Sequence, residues 1–278
     1  MSALVSTAWL AERLSDPNVR VADASWYMPQ AGRDAKAEHA AAHIPGAVFF
    51  DIDDLSDETS PLPHMLAPPA KFAGRMSRLG LGDGHMIVVY DGAGIFSSPR
   101  AWWMLRAMGH RKVAVLDGGL PKWRREGHPV DNRPVQPATA QFTPKPDAAI
   151  IRAFPQMMEN LKTRAAQVLD ARGRPRFSAQ EAEPRPGLRG GHIPGSLNVH
   201  YALLVAADGT LKSPEALRAV FADARVDLSA PIVTSCGSGV TAAIAMLALE
   251  LAGAADVALY DGSWSEWGAH ADAPVETG

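Results

Sequence analysis

Residues 41–55 read AAHIPGAVFFDIDDL, and residues 190–204 read GGHIPGSLNVHYALL. The same His-Ile-Pro-Gly turn, followed by the same small and β-branched residues, occurs twice in one chain. The agreement extends to both sides. VADASW at 21–26 matches VLDAR at 168–172. The segment from Met86 to Trp123, MIVVYDGAGIF through DGGLPKW, matches the segment from Pro231 to Trp267, PIVTSCGSGVT through DGSWSEW. The offset stays between 144 and 149 residues. That period is far too long for a solenoid unit and fits two copies of one domain. Between them runs GHPVDNRPVQPATAQFTPKPDAA, a proline-rich stretch expected to lie semi-extended along the surface. The expected organisation is residues 1–132, a linker at 133–149, and residues 150–278.

Each copy alternates short β-branched runs with longer helical patterns. In the second, QVLDAR, APIVTS and DVALYDG read as buried parallel strands. SPEALRAVFADAR reads as a helix capped by Ser213 with Pro214 in its first turn, and TAAIAMLALELAG as a helix ending at Gly253. At the N-terminus, Ser6 or Thr7 caps a short amphipathic helix with Trp9, Leu10 and Leu14 on one face. The alternation predicts an α/β fold, a parallel sheet flanked by helices in each copy, with reactive groups at the carboxyl edge of the strands.

Composition narrows the function. The chain has 278 residues, 47% hydrophobic and 21% charged, with a net charge of −3 and no like-sign block. Nothing marks a nucleic-acid-binding face. The longest apolar run, Val240–Leu249, is too short to span a bilayer. The N-terminus lacks a basic region followed by an apolar core, and a single cysteine supports no internal disulfide, so a cytoplasmic protein without membrane contact is expected.

That cysteine, Cys236, follows one predicted strand directly and precedes a helix, in SCGSGVTA. Gly237 and Gly239 let the loop curl so that amides gather around an anion. The helix adds its partial positive charge, and both effects favour thiolate over thiol. A buried packing cysteine is the bland reading. The first copy weakens it, because Asp91 stands at the matching position and the loop evidently does without sulfur there. A phosphate-handling loop would carry an arginine after five intervening residues; here that position is Ala242. His43 and His192 recur in both copies and read as structural, as do Trp123 and Trp267. The other histidines, at 39, 85, 110, 128, 200 and 270, show no metal-ligand spacing. Neither metal nor cofactor is called for.

With HIPGA and HIPGS, a proline-rich linker, CGSGVTA in the second copy and an aspartate at the first-copy equivalent, the chain resembles the two-domain rhodanese sulfurtransferases over essentially its whole length. The uncharged loop resembles the mercaptopyruvate branch; the thiosulfate branch typically shows CRKGVTA. The resemblance implies two tandem rhodanese-like domains, only the C-terminal one carrying the active cysteine. It implies ping-pong transfer of sulfur from 3-mercaptopyruvate through a Cys236 persulfide, with release of pyruvate. Gly237, Gly239, Val240 and Thr241 would cradle the sulfur and substrate. A lone cysteine cannot resolve its own persulfide, so an external thiol, thioredoxin or cyanide must accept it. Among Arg172, Arg174, Arg176, Arg185 and Arg189, spacing alone selects none; the family pattern selects Arg176 and Arg185 for the substrate carboxylate. It also suggests a relay of Ser238 with His64 and Asp53, although Asp51, Asp54 and Asp57 are equally acidic neighbours. Two alternatives stay open: a thiosulfate sulfurtransferase, and a persulfide carrier loaded by another enzyme.

Overall fold

The computed structural model describes residues 2–278. Ten strands alternate with ten α-helices: β1 Leu4–Val5, α1 Thr7–Ala11, β2 Val19–Asp23, α2 Ala35–Ala41, β3 Val48–Phe49, α3 Pro69–Arg78, β4 Met86–Tyr90, α4 Ser98–Ala107, β5 Val113–Leu116 and α5 Gly119–Arg125, then β6 Ile151–Arg152, α6 Phe154–Thr163, β7 Gln167–Asp170, α7 Arg174–Phe177, β8 Leu197–Asn198, α8 Pro214–Asp223, β9 Ile232–Ser235, α9 Val240–Ala252, β10 Val257–Tyr260 and α10 Ser263–Trp267. They form two five-stranded sheets of identical order, β1-β5-β4-β2-β3 and β6-β10-β9-β7-β8. Every pairing is parallel.

The chain divides into two compact units: Met1–Glu58, Leu66–Asp147 and Ala206–Leu211 form the first, and Thr59–Met65, Ala148–Val205 and Lys212–Gly278 the second. Each thus includes a short segment from the other repeat. In the first unit, the Leu211 N–H donates to Asp117 Oδ1 (2.9 Å) and Arg125 Nη2 to the Asp208 carbonyl (3.0 Å). The proline-rich segment packs on the first unit through bonds from Ala140 N to Ser77 O and from Lys145 N to Met108 O.

Local chemistry explains the elements. The Ser6 hydroxyl accepts from Trp9 N and the Ser213 hydroxyl from Ala216 N, each satisfying an orphan donor of its helix. All five residues of MIVVY are buried, as a central parallel strand covered on both faces requires. Helix α9 is apolar nearly all round because it packs against β9, β10 and α8 together. It stops at Gly253, whose φ of +104° few other residues tolerate.

Both HIPG histidines are structural. His43 and His192 each form an antiparallel bridge to the segment after the last helix of their unit, to Asp131 and Glu276. Trp123 and Trp267 are fully buried and donate their indole N–H to the carbonyls of Pro129 and Pro274. Such paired anchors hold the end of each unit against its HIPG turn.

Candidate active site

Strand β9 delivers Cys236 to the carboxyl edge of the second sheet, and Gly239, at φ +80°, turns the chain into α9. The cysteine is 2% exposed. Its surroundings are built by the loop after β10. Cys236 N donates to Ser263 Oγ (3.2 Å), which in turn donates to the Tyr260 carbonyl (2.9 Å). Trp264 N donates to the Cys236 carbonyl (2.9 Å). Ser265 gives both its N–H (2.9 Å) and its hydroxyl (2.7 Å) to the Gly237 carbonyl. The first two loop carbonyls are therefore drawn toward α10. Ser263, at φ +49°, carries backbone strain to do this.

The sulfur-free loop of the first unit shows what such a turn does. The Asp91 carboxylate is fully buried and accepts N–H bonds from Ala93, Phe96, Ser97 and Ser98, all within 3.0 Å, together with the Ser98 hydroxyl at 2.7 Å. A side-chain anion sits inside a ring of backbone amides. Those donors correspond in the repeat to Ser238, Thr241, Ala242 and Ala243. A negative sulfur borne by Cys236 has the same kind of cradle available.

Gly237 is a glycine for a different reason from Gly239. Its φ lies outside the left-handed region, so curling the loop is not its role. A Cβ there would meet Arg176 Nη2 at 3.2 Å and Arg185 Nη1 at 3.7 Å. Both guanidiniums selected by the family pattern thus converge on the residue after the cysteine. Arg185 Nη2 also donates to Ser238 Oγ (3.3 Å). Planar forks at this spacing suit a carboxylate.

Behind them lies a chain of alternating charge that the sequence reading did not assign. Arg172, buried, donates Nε and Nη2 to Asp170, Nη2 to the Gly191 carbonyl (2.8 Å) and Nη1 to Glu183 Oε1 (2.6 Å). Its guanidinium lies 4.3 Å from the Trp264 ring centroid. Burial works against its charge, but Asp170 and Glu183 more than offset this and hold its pKa above the ordinary range. Glu183 continues to Arg176, accepting from Nε (3.3 Å) and Nη2. The His192 ring stacks on Phe177 at 3.7 Å and its Nδ1 faces the Phe177 carbonyl (2.9 Å), fixing the end of the short helix that carries Arg176. His200, at the carboxyl end of β8, is held below the usual imidazole range by burial and by the charge of Arg176.

The remaining predicted residues divide. Ser238 is buried in the loop. His64, buried and at φ +60°, belongs to the same unit as Cys236. Asp53 belongs to the other unit, where Trp26 Nε1 donates to its Oδ2 (3.1 Å).

Two copies of one parallel-sheet domain, with a lone cysteine at the strand-to-helix turn of the second, define a rhodanese-type protein. The chain belongs to that family: the model of the rhodanese-like domain matches residues 6–126 and 154–270. Among its curated relatives, a human 3-mercaptopyruvate sulfurtransferase is 47% identical over 271 residues, 95% of this chain and 91% of the relative. A thiosulfate sulfurtransferase of Cricetulus griseus is 46% identical over 282 residues, 99% of this chain and 94% of the relative. A crystal structure of an Escherichia coli 3-mercaptopyruvate sulfurtransferase superposes with a TM-score of 0.87 at 42% identity, covering 95% of this chain and 99% of that one. Among the described residues no helix is long and apolar enough to cross a membrane.

Proposed function

We propose that the protein is a 3-mercaptopyruvate sulfurtransferase that works through a persulfide on Cys236. The Cys236 thiolate attacks the substrate sulfur. A sulfur–sulfur bond forms and the carbon–sulfur bond breaks, its electron pair passing to carbon as the enolate of pyruvate. Protonation of that carbon gives pyruvate. An acceptor thiolate then attacks the outer sulfur, leaves as a persulfide and returns Cys236 as thiolate. Arg176 and Arg185 hold the substrate carboxylate. The amides of Gly237, Gly239, Val240 and Thr241 receive the negative sulfur; of these, Thr241 is the counterpart of a first-unit donor to Asp91, and the Asp91 cradle adds the amides of Ser238, Ala242 and Ala243 to the set. Ser238, with His64 and Asp53, orients the carbonyl end and supplies the proton.

The relatives divide between mercaptopyruvate and thiosulfate enzymes at nearly equal identity, so overall likeness does not choose the donor. One observation favours mercaptopyruvate. The loop from Gly237 to Thr241 carries no cation, and the two arginines that approach it come from a separate segment suited to one planar carboxylate. Thiosulfate, a dianion, favours cations within the loop itself. A thioredoxin-type dithiol as acceptor and a cytosolic setting belong to the same proposal, supported by the single cysteine of the chain.

The test is intact mass. Protein mixed with mercaptopyruvate alone gains the mass of one sulfur atom, and Cys236→Ser protein gains none. No gain in the native protein sinks the enzyme reading and leaves the passive carrier. Faster steady-state turnover with thiosulfate than with mercaptopyruvate reverses the choice of donor.

A further inference from the structure

We infer that Glu183 is a positioning residue that fixes Arg176 against the cysteine loop and sets the charge seen by the sulfur donor. The inference deepens the proposed function, resting on Arg176 as part of a carboxylate clamp.

Arg176 sits at the third position of a four-residue helix, and an arginine there has wide rotamer freedom. Glu183 removes it. Its carboxylate takes both Nε and Nη2, a side-on pairing, and Nη2 is also the nitrogen nearest Gly237. The side chain of Glu183 is 2% exposed, so no water competes for that grip.

A carboxylate bound to Arg176 alone would cancel the charge the substrate needs. Here the other oxygen contact is to Arg172, which is itself held by Asp170 and by the Gly191 carbonyl. Glu183 divides its charge between Arg172 and Arg176, so Arg176 is only partly neutralised at the end of the network that meets the loop. With Glu183 made neutral, one more positive charge faces the loop and a dianionic donor gains.

The experiment compares Glu183→Gln with Glu183→Asp in the full chain. Glutamine removes the charge. Aspartate keeps it but shortens the reach. Glu183→Gln is expected to raise the mercaptopyruvate KM about tenfold with kcat within about twofold, the pattern of lost uniform binding. It should also raise the ratio of thiosulfate to mercaptopyruvate kcat/KM by about fivefold or more. Glu183→Asp should raise KM while leaving that ratio unchanged. A merely structural ion pair would lower the melting temperature of both variants and leave the ratio equal in both; that result overturns the inference. Pyruvate titrated calorimetrically into Cys236→Ser protein reads the clamp without turnover. About tenfold weaker binding on adding Glu183→Gln supports the inference, even if the native protein proves inactive with mercaptopyruvate. Equal affinity, or no pyruvate binding by the parent, overturns it.

Discussion

Gly237→Ala separates catalysis from folding at a single atom. The added Cβ lies 3.2 Å from Arg176 Nη2 and 3.7 Å from Arg185 Nη1. The first contact is too tight by a few tenths of an ångström. A free arginine would swing aside, but Arg176 is gripped by Glu183, so the clamp as a whole must shift. Misplacement of about 1 Å costs about 100-fold in rate. A shift of a few tenths therefore predicts a loss of about 3- to 10-fold in kcat/KM for mercaptopyruvate, about 1 kcal/mol in transition-state stabilisation. The backbone is unaffected, because φ at Gly237 lies outside the left-handed region. Loss of freedom in the unfolded chain even favours alanine by about 0.4–1 kcal/mol. The expected variant is less active and no less stable. Steady-state kinetics with both donors, beside urea unfolding, read the two quantities. Unchanged kcat/KM refutes the geometric argument; a stability loss above about 1 kcal/mol refutes the backbone argument.

Arg172→Met leaves Asp170 and Glu183 buried without their shared partner, and should cost about 3–5 kcal/mol in urea unfolding; a loss below about 1 kcal/mol would show the pair to be solvated. Gly74→Ala, on an exposed face of α3 where a Cβ meets nothing within 4 Å, should stabilise the first unit by about 1 kcal/mol and leave turnover unchanged. His200 gives a pH signature. Burial and Arg176 depress its pKa, so the unfolded chain binds the proton more readily. This contribution to stability is present above the ordinary imidazole range and is lost as pH falls through it toward the folded value. In Arg176→Ala the imidazole should titrate higher by NMR, and an unmoved titration would remove Arg176 from its surroundings.

The duplicated architecture was legible because the repeat is carried by features that cannot drift without breaking the fold. The HIPG turns bridge the chain after each unit's last helix, and the tryptophans at 123 and 267 close the same corner. Helix ends were legible through Ser213 and Gly253, whose side chain or backbone freedom acts within a few residues. The cysteine loop was readable for the same local reason. What surrounds it was not. Ser263 and Ser265 reach the loop across 27 and 28 residues, and nothing in DGSWSEW announces hydroxyls turned toward Cys236 and Gly237. The five arginines of residues 172–189 are alike in sequence; their roles separate only when Arg172 turns inward to Asp170 and Arg176 outward to Gly237. Glu183 stood in view beside Arg185, yet its meaning is its bond to two arginines at once. The exchange of short segments between units, Thr59–Met65 for Ala206–Leu211, has no local signature either.

The Asp91 loop carries a consequence for the stability of each unit rather than its chemistry. In the first unit the anion that the amides require is encoded in the sequence and is present from the moment of folding. In the second the anion is the sulfur of Cys236, and in the proposed cycle it alternates between a thiolate and a persulfide one atom longer. The first cradle is therefore filled alike at all times, while the second must accept an anion of two lengths in each turnover. Any difference in unfolding between discharged and sulfur-charged protein is accordingly expected in the second unit and not in the first.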